Sequence, residues 1–190
     1  MSTTMRWVSA DLAAMPDDGK RYEIIDGELH MSRQPHLNHQ YVSGRFFVEL
    51  YGWSNANDRG SVFFAPGVIF ADDDDVAPDL VWVSKARLGG IVQADGRIHA
   101  APELVVEVLS PGSANERRDR EAKLKLYSRR GVVEYWIVSW QARQVEVYRR
   151  DNARLHLVET LHEHDVLESP LLPDFSCQVA CFFEGMPVPE

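Results

Sequence analysis

Apolar residues recur along the chain with two different periods, and the switches between them mark out the elements. Residues 9–15 carry a short helical pattern headed by Ser9 as N-cap and stopped by Pro16. Residues 21–25 and 28–32 are strand-length runs joined by Asp26-Gly27. Asp-Gly between apolar runs predicts a hairpin. Over residues 39–53 the apolar positions Val42, Phe46, Phe47, Leu50 and Trp53 fall at helical spacing, which predicts a long amphipathic helix packed on a sheet. Residues 61–65 and 67–71 read as strands, with Pro66-Gly67 as the turn between them. Residues 80–83 and 104–109 are valine-rich with few polar positions, the pattern of central strands covered on both faces. A loop or hairpin lies between them around Asp95-Gly96. Residues 117–130 read as a second helix ended by Gly131, and 134–138 and 144–148 as another pair of strands. After Arg154 the pattern fades, and Pro170, Pro173 and Pro187 interrupt any regular element. The sum predicts an α/β (α+β) fold, a mixed β-sheet flanked by α-helices.

Composition narrows the picture. A chain of 190 residues with 45% hydrophobic and 26% charged positions suits one buried domain over residues 1–190, its core about residues 20–148. The net charge of -9 argues against a generally basic coat for nucleic acid. It leaves room for a local basic patch, and acidic residues are what a hard cation requires. The N-terminal residues have no apolar stretch of signal-peptide length, and no run approaches a membrane span; the expected location is the cytoplasm, with no membrane partner. Cys177 and Cys181 read as reduced, small core residues.

The candidate chemistry lies with acids placed where acids are awkward. Asp79 follows Pro78 and opens an apolar strand; Glu107 and Glu23 sit inside apolar strands. A carboxylate there costs several kcal/mol unless a cation or metal compensates it. Each has a bland reading: a turn residue for Asp79, a wet face or an arginine pair for Glu107, an exposed edge for Glu23. Lys123 lies on the predicted helix that follows the Glu107 strand, and Asp119, Lys123 and Tyr127 are spaced four apart, hence on one face. Cutting a phosphodiester needs a divalent cation held by about two carboxylates, and a cation that stabilises charge or orients water. Asp79 and Glu107 suit the first task and Lys123 the second, with Glu23 available for a metal-bound water or a second ion.

Several segments then carry a resemblance: residues 21–29, Pro78-Asp79 with Leu80 and Val81, residues 102–111, Asp119-Arg120 with Lys123 and Tyr127, and residues 131–138. In this order they resemble the PD-(D/E)XK nuclease superfamily and, more narrowly, the Uma-two family of restriction-type endonucleases. The resemblance implies a restriction-endonuclease-like core, dependence on magnesium or manganese, and a DNA substrate. It leaves assembly open, a homodimer included. The superfamily's simplest motif places lysine two residues after the strand glutamate, where this chain has Leu109; the narrower resemblance implies that the lysine has moved to the helix as Lys123. Lys125 is the competitor on another face. A second departure is Ser139-Trp140, where the family often has an aspartate.

Other features read as structural. Asp72 to Asp75 lack the glycine and distal glutamate of an EF-hand and are expected in a solvated loop. His36, His39, His162 and His164 lack a His-Glu-x-x-His pattern and are expected as surface or structural groups, His39 with the better functional prospect. Arg117, Arg118, Arg120, Arg129 and Arg130 form the most basic stretch, either a solvated helix or phosphate contacts, with Arg117 and Arg120 as the candidates for nucleic acid. Two alternatives stand beside a metal-dependent endonuclease: a catalytically inactive binding or regulatory protein of the same fold, and a metal-dependent hydrolase of a small phosphodiester.

Overall fold

The computed structural model describes residues 5–187, with the side chain of Ser113 excepted. A hairpin of β1 (Arg21–Ile25) and β2 (Glu28–Ser32) comes first. Its turn residues Asp26 (φ 56) and Gly27 (φ 75) both take positive φ, the conformation a tight hairpin needs and Asp-Gly tolerates. Helix α1 (Leu37–Ala56) follows, then β3 (Gly60–Phe64), β4 (Val68–Ala71), β5 (Asp74–Val76), β6 (Leu80–Ser84), α2 (Lys85–Ile91) and β7 (Leu104–Val108). Next come α3 (Ser113–Arg117), a π-helical turn (Arg118–Lys123) and α4 (Leu124–Arg130). The chain closes with β8 (Glu134–Ser139), β9 (Gln144–Asp151), β10 (Arg154–His162), β11 (Val166–Ser169), β12 (Leu172–Gln178) and a 3-10 turn, Val179–Phe182.

The large sheet has strand order β10-β9-β8-β7-β6-β3, antiparallel except for the parallel pair β7 and β8. Side-chain alternation divides its two faces. Leu80, Trp82, Leu104, Val106 and Trp136 meet Val42, Phe46 and Leu50 of α1. Val81, Val83, Val105, Tyr135 and Ile137 meet Leu126 and Tyr127 of α4 together with the smaller sheet, of order β2-β1-β5-β4. The mixed sheet flanked by helices is therefore as expected.

Four readings need correction. Val8, not Ser9, precedes the first helical turn (Ser9–Ala14), and the Ser9 hydroxyl instead donates to Asp75 at 2.5 Å. Strands β3 and β4 do not pair with each other: Ala65 kinks the backbone (φ 47) and β4 leaves for the smaller sheet. Asp74 and Asp75 are buried in β5 rather than solvated in a loop, because cations from distant segments neutralise them. Asp74 accepts from Arg129, Arg130 and the Asp26 amide, and Asp75 from Arg97 at 3.2 Å. The tail is regular after all. Pro170 falls in the turn before β12, and Pro173 occupies an exposed position of a two-stranded edge, where a missing N–H does little harm. Helix α2 was also not foreseen. Cys177 and Cys181 are free thiols, Cys177 buried and Cys181 half-buried, with burial pushing the Cys177 thiol up to about 12. His162 and His164 are exposed. Among the described residues no helix is long and apolar enough to cross a membrane.

Candidate active site

The β-register brings the two strand carboxylates together. Leu80 of β6 lies opposite Val106 of β7, and continuing that antiparallel register by one residue sets Asp79 beside Glu107. Both alternate onto the face shared with α4. Asp79 Oδ2 accepts the Val108 amide at 2.9 Å and the His39 Nε2 at 3.1 Å, while Arg21 stands 3.3 Å from Oδ1. Burial would raise this carboxyl, but the His39 hydrogen bond and the charges of His39, Arg21 and Lys123 outweigh it and hold the group down at about 2. His39 Nδ1 is buried without a partner.

The helical lysine arrives from the other side. The wide π-helical turn brings Asp119, Lys123 and Tyr127 inward, all three buried. Lys123 Nζ lies 2.8 Å from Glu107 Oε1, 3.1 Å from Glu23 Oε1 and 3.7 Å from Asp119 Oδ1. The Tyr127 hydroxyl donates to the same Glu107 oxygen at 2.8 Å, so both described bonds fall on Oε1. Burial alone would lower the Lys123 amine; Glu107, Glu23 and Asp119 together hold it above its ordinary range, fully charged. Glu107 shifts the other way. Burial, opposed by Lys123 and reinforced by repulsion from Asp79, Asp119 and Glu23, pushes it up to about 7.

These groups share a cavity of about 200 Å³ whose lining includes His39, Asp79, Glu107, Asp119 and Lys123, with Lys20, Arg21, Arg33 and Arg118 among the cations around it. Asp79, Glu107 and Lys123 are thus brought into one place. Glu23 lies behind Lys123 rather than in the lining, 1% exposed, and its Oε1 also accepts the Ala77 amide at 3.0 Å; it stands as a support for the lysine. Lys125 is remote, its amine exposed near Asp26. Arg117 is exposed outside the lining, and Arg120 is paired with Glu146. The helix arginine that lines the cavity is their neighbour Arg118, which donates to Ser32 Oγ at 2.8 Å and lies 3.4 Å from Asp119 Oδ1. Asp119, Arg21 and Arg118 are the additions to the sequence-derived set. The i, i+4 spacing to Lys123 was a legible signal for Asp119. None existed for Arg21, which reaches Asp79 across 58 residues of sequence.

The fold has a counterpart of low sequence similarity among solved structures. A crystal structure from Anabaena variabilis, described as a "putative nuclease belonging to DUF820", superposes with a TM-score of 0.74 at 16% identity, covering 93% of this chain and 97% of that one. The type IIG restriction endonuclease BpuSI is a weaker match, with a TM-score of 0.43 at 15% identity, covering 80% of this chain and 16% of the enzyme. No curated protein matches the sequence significantly. The model of the Uma2 family, described as "Putative restriction endonuclease", matches residues 9–180, and the chain belongs to that family.

Proposed function

We propose that the protein is a metal-dependent endonuclease that hydrolyses phosphodiester bonds in DNA. The observation that carries this reading is the meeting of Asp79, Glu107 and a buried, charged Lys123 in one cavity edged by arginines. Family membership supports it.

The donor set fits magnesium or manganese. Four carboxylates, Glu23, Asp79, Glu107 and Asp119, face three permanent cations, Arg21, Arg118 and Lys123. With all four ionised one negative charge is in excess, which a bound cation would offset, and the described bonds to Glu107 leave its Oε2 unused. Among the described residues no group of three or more His, Cys, Asp or Glu is placed to hold a metal ion. Magnesium does not need such a group: it is commonly held by one or two carboxylates, with water and substrate phosphate completing its shell. Asp79 and Glu107 would be those ligands, and the ion would polarise the phosphate and lower the pKa of a bound water.

The chain's own groups do the rest. Val108 N–H and His39 fix the Asp79 carboxylate, while Lys123 and Tyr127 fix Glu107, so neither must reorganise as substrate arrives. The Lys123 ammonium lies in a low-dielectric floor, where a fixed positive charge stabilises the extra negative charge of a five-coordinate phosphorus far more than it would in water. Being held charged, it acts in that role and as an orienting donor for water rather than as a resting base. Arg21 and Arg118 offer bidentate hydrogen-bonding geometry to phosphate oxygens.

The test is calorimetric titration of Mg2+ and Mn2+ into wild type and an Asp79→Ala, Glu107→Ala double variant, followed by DNA cleavage. Metal binding lost in the double variant, with metal-dependent cleavage by wild type alone, is the expected result. Equal binding in both proteins would assign the carboxylates a structural role and favour the inactive binding protein. Hydrolysis of a small phosphodiester without DNA cleavage would favour the small-molecule hydrolase.

A further inference from the structure

A second cleft of about 490 Å³ adjoins the catalytic cavity and shares Ser32, Arg33, Gln34, Pro35, Ser110 and Arg118 with it. Its chemistry differs from that of neighbouring clefts in this acidic chain. Among the described residues no carboxylate lines it, and two arginines do. By contrast, the cleft beside β11 and β12 carries Glu159, Glu168 and Asp174, and the one beyond α3 carries Asp26, Glu28 and Glu121. Arg33 makes no ion pair among the described residues and is exposed. An acid-free surface with an unneutralised cation, continuous with a phosphodiester site, is matched to a chain of phosphates.

The cleft also holds a flat, braced ring. The His36 imidazole lies on the Trp140 indole at 4.9 Å between centroids and 15° between planes. Its Nδ1 accepts the Asn38 amide at 3.1 Å at the start of α1, and Trp140 Nε1 donates to the Leu109 carbonyl at 3.1 Å. One face of His36 is taken by the indole, while the residue is exposed and lines the cleft. Met31, 59% exposed, and Pro35 and Pro111 add apolar surface. Gln34 and Asn115 add amide groups that can meet the edge of a base. Unpaired bases are held in this manner, by stacking on an aromatic ring and by hydrogen bonds to their edges. A base inside a duplex offers neither a free face nor a free Watson–Crick edge.

We propose that this cleft is a nucleotide subsite, which takes one unstacked base of single-stranded DNA on His36 while Arg118 holds the phosphate at the threshold of the catalytic cavity. The inference rests on the nuclease reading and specifies its substrate as a single strand. Trp140, in the Ser139-Trp140 pair that departs from the family pattern, gains a role as the backing of the ring.

Fluorescence anisotropy of a labelled single strand and of the duplex of the same sequence, both in EDTA, tests it without requiring catalysis. The single strand is expected to bind more tightly than the duplex. His36→Asn removes the ring but keeps a side chain that caps α1, and is expected to weaken single-strand binding about tenfold, the loss of one stacked base. Met31→Glu places an acid in the cleft at an exposed position and is expected to weaken it likewise, so a folding defect in one variant does not decide the matter. Binding of duplex at least as tight as single strand, or unchanged binding by a folded variant of either kind, overturns the proposal. Hydrolysis of bis(p-nitrophenyl) phosphate by wild type with Mn2+ reads the catalytic cavity separately. Hydrolysis with no single-strand preference overturns the subsite alone; single-strand preference without hydrolysis overturns the nuclease reading and leaves the subsite standing.

Discussion

Glu107 carries the conflict between stability and chemistry. Its folded-state value of about 7 lies above the ordinary 4.5, so the folded protein holds that proton more tightly than the unfolded chain. In metal-free buffer its contribution to stability is full below about pH 4.5 and is lost as the pH rises through about 7, a change on the order of 3 kcal/mol. Glu107→Gln keeps an amide oxygen for Lys123 and Tyr127 but has no charge to bury. It is expected to unfold at a higher temperature than wild type at pH 8 in EDTA, and to bind no Mg2+; a lower melting temperature there would refute this account of the group. Lys123 is the opposite case. It is the charge that several buried carboxylates lean on, and removing one partner of a buried pair costs about 3–5 kcal/mol. Lys123→Ala should show that loss in urea unfolding, whereas Lys125→Ala, at an amine 72% exposed, should stay within about 0.5 kcal/mol of wild type. Equal effects would mean that the wrong lysine has been assigned.

At the level of elements, the continuous helical run that carries Lys123 is tied down at its middle and at its C-terminal end. The π-helical turn is held through Asp119, whose backbone carbonyl accepts the Tyr135 hydroxyl at 3.1 Å. Gly131, at φ 96, ends α4 with a left-handed cap that another residue would strain. Just before it, Arg129 and Arg130 both grip the buried Asp74 of β5, and Arg129 also reaches Asp26 in the hairpin turn. Asp74 therefore couples the smaller sheet to the helix that positions the lysine. Asp74→Ala leaves two arginines facing a buried hole and is expected to cost about 3–5 kcal/mol. Cleavage should also fall at temperatures where the variant is still folded by circular dichroism, because α4 loses its register. Full activity in the folded variant would show that the clamp serves stability only.

For the molecule as a whole, the balance of -9 must coexist with the polyanionic substrate proposed for it. Besides the buried Lys123, the cations at the cavity are Lys20, Arg21, Arg33 and Arg118; Lys20, Arg21 and Arg118 each have an acidic partner, and Arg33 makes no ion pair among the described residues. Contact with about three or four phosphates of a single strand predicts a log–log salt dependence of binding with a slope of about -2 to -3. A slope steeper than about -5 would require a basic surface that this chain lacks, and with it a different docking face. On the proposed reading, the acidic exterior keeps non-specific affinity low and leaves binding to the cleft lined by Arg33 and Arg118.

Much was legible without coordinates. The hairpin at Asp26-Gly27, the buried valine strands, the long helix and the candidate acids Asp79 and Glu107 follow from periodicity, turn chemistry and the cost of placing acids in apolar runs, which are local properties of the chain; Lys123 was singled out over Lys125 by the family resemblance. The sites of Arg21, Arg118 and Asp74 were decided elsewhere. Whether an arginine meets water, a carboxylate or a cavity depends on which distant segment packs against it, and no local pattern encodes that. The run Asp72 to Asp75 makes the point: four like acids read as a solvated loop, yet Asp74 and Asp75 are interior because α4 and the Arg97 turn deliver cations to them. The same holds for Glu23, whose place behind Lys123 depends on the smaller sheet docking beside the large one. Sequence determined which residues could do the chemistry; tertiary structure alone decided which of them share a cavity, because long-range packing sets the charge that each buried group meets.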